Sequence, residues 1–349
     1  MFFIPNMRKS RIFIYLLAIT LIIIGAVVIV KIFKTKKYSN TILYEIEMDE
    51  DKPAGIINFN VNCFLNTALQ LLNLDELYDY LSNKSLINGS LSKILYNLLR
   101  KIRLNKEEVS IKYEYKDFMT KLNKKFFKLN DLNATDELIA HTLNILFEEE
   151  INKHNSNDND VNNLDSGEII DLNNLSLETH DNLIKNSKIY KLFGTSGLLE
   201  LKDKVITEFY ISVPILPSLQ ENINKYCRNE RENFQTEIRN DFLIIKIPEI
   251  LFINCPSLEG LFSKFNLLNH LKITFMNEEY ELQGISLLIP GTNIFSIGHY
   301  FAIIKKANKF YKTNDSCVNR FFPHEANEST RETVSCLIYK RIKRKQKDH

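Results

Sequence analysis

Apolar residues change their rhythm along this chain. Up to about residue 150 they recur at intervals of three and four, as Leu65, Ala68, Leu69 and Leu72 do, which predicts a mainly helical zone over 63–150. From 199 to 341, short β-branched and aromatic runs take over, at 205–213, 243–247, 271–275 and 300–304. Helices first and strands later imply an α+β fold. Two stretches follow neither rhythm. Residues 152–182 are rich in Asn, Asp and Ser and poor in aromatics, so a flexible insertion is expected after a helix ending near Glu150. Residues 12–30 are apolar except at Tyr15 and Thr20, with Gly25 the one small break, and are long enough to span a bilayer.

Arg8, Lys9 and Arg11 precede that run, and Lys31, Lys34, Lys36 and Lys37 follow it. A cleaved signal peptide has a shorter apolar core with small residues after it, so a transmembrane anchor is the expectation. The slight excess of positive charge after 30 favours a cytosolic C-terminal domain, on the endoplasmic reticulum or the mitochondrial outer membrane. The expected layout is a basic flank 1–11, the span 12–30, a juxtamembrane tether 31–52, a folded domain 53–341 and a basic tail 342–349. That tail reads as a solvated terminus, with lipid headgroups as the rival contact. Asn88-Gly-Ser90 and Asn174-Leu-Ser176 would be offered for glycosylation if the domain were lumenal. With a net charge of +2 the chain carries no surplus that would argue for nucleic acid. Cys227, Cys255, Cys317 and Cys336 are scattered without zinc-ligand spacing, so no metal or other cofactor is expected.

The fifth cysteine is placed for chemistry. Cys63 follows Gly55-Ile-Ile-Asn58-Phe-Asn-Val-Asn62, a turn-forming stretch, and opens the helical run, where unpaired N–H groups and the helix dipole favour thiolate. A buried structural cysteine is the bland alternative, and a partner base decides between them. That base is His299. The run 300–304, the polar turn 306–309 and the run 310–313 read as a β-hairpin, and folding about Ala307 sets His299 and Asp315 equally far from the bend. An imidazole and an amide or carboxylate then meet at its open end, completing a Cys, His, Asn/Asp set.

These residues resemble the ubiquitin-specific proteases. That family's cysteine box, Gly-Leu-x-Asn-x-Gly-Asn-Thr-Cys-Tyr-x-Asn-Ser-x-Leu-Gln, is similar to this chain at Gly55, Asn58, Cys63, Asn66, Leu69 and Gln70. Its histidine box is similar at Gly298-His299-Tyr300 and Asn314-Asp315-Ser316, and its intervening helix at Asp136-Glu137-Leu138 through Glu148-Glu149. The resemblance spans about 53–341 in the right order. It implies a papain-like fold with a helical thumb, a β-rich palm and fingers. It implies a thiol isopeptidase acting after the C-terminal glycine of ubiquitin, with ubiquitin and ubiquitinated proteins as partners. Cys63 would be the nucleophile and His299 the general base, with Asn314 and Asp315 sharing the ring-orienting role. Asn58 would hold the oxyanion, and Asp136, Glu137, Gly298 and Tyr300 would line the substrate path.

Departures from the family pattern mark where this chain differs. Asn60, Val61 and Asn62 replace Gly, Asn and Thr before the nucleophile, and Ala134 stands where a carboxylate is usual. Phe310 replaces Trp, and the four finger cysteines are missing. The altered turn and Ala134 motivate a rival expectation, a catalytically weak or inactive membrane protein that only binds ubiquitin.

Overall fold

The computed structural model describes residues 49–59, 62–83, 87–122, 134–156, 186–199, 204–228, 242–256, 262–291, 298–328 and 331–343. The chain divides into two units, Met1–Glu50 and Asp51–His349. The expected membrane span 12–30 lies outside the described residues, as do nearly all of the tether, most of the insertion and most of the basic tail. Among the described residues no helix is long and apolar enough to cross a membrane.

Among the described residues five helices come first: α1 (Cys63–Leu72), α2 (Asp75–Asn83), α3 (Leu91–Leu104), α4 (Lys112–Lys121) and α5 (Thr135–Ser156). A sixth, α6 (Lys188–Phe193), follows the insertion. Helix α5 runs on past Glu150, where it was expected to end. Carboxylates near a helix C-terminus oppose its dipole, but Glu149 and Glu150 are engaged elsewhere. Glu149 accepts from Leu91 N (2.6 Å), Ser92 N (3.0 Å) and Ser92 Oγ (2.5 Å) at the start of α3. Glu150 accepts from Ser187 Oγ (2.7 Å), Lys188 N and Ile189 N (both 3.1 Å) at the start of α6. Neighbouring side chains on one helix thus satisfy the orphan N–H groups of two others. Glu150 is buried, so Glu150→Ala is expected to lower the unfolding free energy by about 2–3 kcal/mol. A reduced urea midpoint at unchanged m value would show it.

The strands are β1 (Gly55–Ile56), β2 (Glu108–Val109), β3 (Thr195–Leu199), β4 (Lys204–Glu208), β5 (Ile211–Ser212), β6 (Phe242–Lys246) and β7 (Ile250–Asn254). After them come β8 (Lys272–Phe275), β9 (Glu278–Ile289), β10 (His299–Lys306), β11 (Lys309–Asn314), β12 (Cys317–Phe321) and β13 (Thr333–Arg341). The main sheet is ordered β12-β11-β10-β9-β13-β7-β5, and β8 pairs with β9. A small sheet runs β4-β3-β6, and β1 pairs in parallel with β2. The run 205–213, expected to be one strand, is split between sheets, β4 in the small one and β5 beside β7 in the main one. Its break falls at two aromatics that pack instead of pairing. Phe209 meets Phe147 of α5 at 5.4 Å between ring centroids, and Tyr210 meets Phe252 at 6.1 Å.

Both faces of the main sheet are covered. Tyr300, Ala302, Ile304, Phe252 and Ile338 pack with the helices. Phe301, Ile303, Leu251, Ile253 and Leu337 pack on the other side with Leu219, Ile223 and Tyr226 of α7 (Leu219–Cys227). Alternate residues of β10 therefore serve two cores, which is why 300–304 is an unbroken apolar run. Helix α1 is buried along all 10 of its residues. It lies against β9 and β10, where Gly284 makes room: a Cβ there would stand 2.5 Å from Leu71. From it Gln70 Nε2 donates to Ala54 O at 2.7 Å, tying the helix to the residues before β1.

Candidate active site

Cys63 is the first residue of α1 and is 3% exposed. Its sulfur lies beside His299, the first residue of β10, near enough to raise the pKa of that ring. Gly298 draws the chain close to β9 just before His299, since a Cβ there would stand 3.2 Å from Ile289 O. His299 Nε2 lies 2.6 Å from Asn314 Oδ1, leaving Nδ1 as the ring nitrogen for the sulfur. An imidazolium donates from both nitrogens, so one ring can serve both partners.

The hairpin forms, with a register one residue away from the expected one. Folding about Ala307 would oppose Ala302 to Lys312, whereas Ala302 pairs with Thr313 and Lys306 with Lys309. The bend falls between Ala307, at φ 49°, and Asn308, and the ladder with β11 stops before reaching His299. Histidine and asparagine meet through side chains beyond the last strand pair.

Asn314 and Asp315 separate in role. Asp315 lies farther from the ring, with Oδ2 3.8 Å from Nε2. It begins the two-residue connection between Asn314 and Cys317 at φ 51°, a left-handed conformation that Asp tolerates. Its carboxylate accepts from Asn58 Nδ2 (2.9 Å) and Asn66 Nδ2 (2.7 Å), and its carbonyl accepts from Ile56 N (2.9 Å). This turn presses on β1 so closely that a Cβ on Gly55 would stand 2.2 Å from Ser316 O. Asn66 and Asn62 were not among the expected site residues. Asn66 was findable, since it follows Cys63 by three positions on one helix and so shares its face.

The other expected residues sit in a second zone. Glu137 is exposed and Asp136 half-buried, and with Ala140, His141, Tyr210 and Phe252 they line a cleft of about 280 Å³. Asp136 Oδ1 also accepts from Ser335 Oγ at 3.0 Å, and burial pushes its carboxyl up. Tyr300 is buried among the residues that pack with the helices. Burial raises its phenol, with the charges of Asp136, Cys336, Cys63 and Glu137 adding.

The hydrogen bond with Cys63 pushes His299 up to about 9, against the lowering effect of burial, and the bond to Asn314 and the fields of Cys63 and Asp315 add to it. The imidazolium therefore prevails at neutral pH and is lost as pH rises through about 9. We expect the alkaline limb of kcat/KM there; a limb near the ordinary histidine value of about 6.5 would mean the sulfur does not hold the ring. With the folded value raised above the unfolded one, the stability His299 contributes is whole below about 6.5 and gone above 9. Cys63→Ala should flatten that decline in melting temperature.

A helix-borne thiol bonded to a sheet-borne histidine, itself held by an asparagine, defines a thiol peptidase of papain-like architecture. Residues 54–339 match the family model described as ubiquitin carboxyl-terminal hydrolase, and the chain belongs to that family. No curated protein matches it. Similar solved structures include the SAGA Ubp8/Sgf11/Sus1/Sgf73 DUB module, 17% identical over 89% of this chain and 73% of that one, with a TM-score of 0.56. A variant of that module bound to monoubiquitin is 16% identical over 89% and 74%, with a TM-score of 0.52. The Saccharomyces cerevisiae PAN2 pseudoubiquitin-hydrolase is 15% identical over 83% and 88%, with a TM-score of 0.54. At these identities the likeness is one of fold.

Proposed function

We propose that this chain is a cysteine-dependent deubiquitinase that cleaves the isopeptide or peptide bond after the C-terminal glycine of ubiquitin, anchored to a membrane through residues 12–30 with its catalytic domain in the cytosol. The observation that carries it is the ring of His299, held by Asn314 at 2.6 Å with Cys63 beside it. With the proton of the thiol already resting on His299, the thiolate Sγ attacks the glycine carbonyl carbon. Asn58 Nδ2, held by Asp315, donates to the oxyanion that forms. Collapse breaks the C–N bond, the imidazolium protonates the leaving amine, and a thioester remains. His299 then takes a proton from water, whose oxygen attacks the thioester, releasing the carboxylate and the thiol. The cleft with Asp136, Glu137 and Tyr210 offers carboxylates and an aromatic ring to a basic side chain of the ubiquitin tail.

The similar structures bear on the reading in opposite ways: one is a module bound to monoubiquitin, and another bears the name pseudoubiquitin-hydrolase. The second favours a rival, a binding module without turnover, which the altered turn at 60–62 also motivates. Every chemical role of a hydrolase is filled here, which favours the enzyme. The test is incubation of the full chain with ubiquitin carrying a C-terminal thiol-reactive group. A covalent adduct is expected; ubiquitin bound without an adduct would leave the binding module. For the membrane, Asn88 is exposed, so glycosylation there in cells would overturn the cytosolic orientation.

A further inference from the structure

Asn62 occupies the N-cap position of α1, yet its side chain does not cap the helix. It is fully buried and turned the other way. Its Oδ1 accepts from Phe59 N (3.1 Å) and its Nδ2 donates to Asn66 Oδ1 (3.0 Å). Asn66 Nδ2 in turn donates to Asp315 Oδ1 (2.7 Å) and to Ile56 O (3.2 Å). The order of these amides has one solution. A carboxylate only accepts, so Asn66 must present its NH2 to Asp315, which aims its oxygen at Asn62. Asn62 must then present its own NH2, which leaves its oxygen for the backbone of Phe59. The loop between β1 and α1 is thus tied to one carboxylate twice, through the Asn58 side chain and, by way of two amides, through the next residue's N–H. No glycine lies between Gly55 and Cys63, so side-chain bonds carry the task of holding this turn.

We propose that Asn62 is a positioning residue for the reaction, passing the orientation imposed by Asp315 to the Phe59 backbone and so fixing where Asn58 meets the oxyanion. The assignment rests on the hydrolase reading above. It implies that a change of polarity, with no change of size, disarms the enzyme. N62D keeps the acceptor for Phe59 but sets oxygen against oxygen at Asn66. Turning Asn66 over would only move the clash to Asp315. D315N relieves the clash with the carboxylate, because an amide at 315 can donate to a turned Asn66, and leaves as the residual cost the loss of the longer 3.2 Å bond from Asn66 to Ile56 O.

The experiment is a double-mutant cycle on the full chain, with kcat and KM for ubiquitin bearing a C-terminal fluorogenic amide. N62D is expected to lower kcat by about tenfold or more while KM stays within about twofold. In the D315N background the same change should cost less than about threefold in kcat. Additive losses, or N62D at the wild-type kcat, overturn the proposal. Amide hydrogen exchange gives a second reading that needs no turnover. Phe59 N–H should be protected in the wild type and exposed in N62A, while the amides of β9 and β13 keep their protection. A Phe59 amide that exchanges freely in the wild type, or is unchanged in N62A, overturns it as well. A wild type that does not cleave ubiquitin would instead sink the hydrolase reading, leaving the exchange result to judge the relay alone.

Discussion

Cys63→Ala is expected to abolish turnover, a loss of about 10⁶-fold in kcat, and to abolish the adduct with thiol-reactive ubiquitin. The size follows from the mechanism: without Sγ there is no nucleophile and no thioester forms. The variant should still fold and bind ubiquitin, because only one atom leaves a side chain that is 3% exposed, and the helix around it is held by Asn66, Gln70 and the apolar residues of α1. Turnover surviving the change would show that Cys63 is a core cysteine and that the chemistry lies elsewhere. Loss of turnover with full ubiquitin binding is the expected pair of results, read from steady-state kinetics and calorimetry.

Gly55→Ala should also lower the rate sharply, although by far less than loss of the thiol and although residue 55 touches none of the reacting atoms. A methyl group there would lie 2.2 Å from Ser316 O and 2.6 Å from its carbon, both backbone atoms that no rotamer change can move aside. The turn must shift, and it carries Asn314, which orients the ring, and Asp315, which holds Asn58 and Asn66. A displacement near 1 Å at such groups costs about a hundredfold in rate. Overpacking adds a stability loss of about 1–3 kcal/mol. The expected signature is a kcat down about a hundredfold with a folded protein at 25 °C. A variant at the wild-type rate would mean β1 can retreat from the turn without disturbing it.

The pairing of Cys63 with His299 was legible in the sequence because each stands where an element begins, Cys63 opening α1 and His299 opening β10. The α+β order was legible too, since the apolar spacing changes from helical to strand-like only once. What escaped was set by contacts distant in sequence. The one-residue register of the β10–β11 hairpin depends on where a turn places a positive φ, at Ala307, a residue type with no preference for it. The division of labour between Asn314 and Asp315 depends on Asn58 and Asn66, more than 240 positions away. The run 205–213 was read as one strand because its central aromatics suit a strand as well as they suit a core. Helix α5 was cut short at Glu150 because the sequence does not reveal that its carboxylates belong to other helices.

Those carboxylates also bear on how freely this protein can change. Glu150 joins the last third of α5 to the start of α6, so the described elements on either side of 157–185 are held to each other by their own groups. Closing a longer loop between fixed ends costs only about 0.6 kcal/mol per doubling of its length. That stretch can accept insertions, deletions or a change of wording in evolution while Cys63 and His299 keep their places, which makes it the natural site for acquiring new sequence.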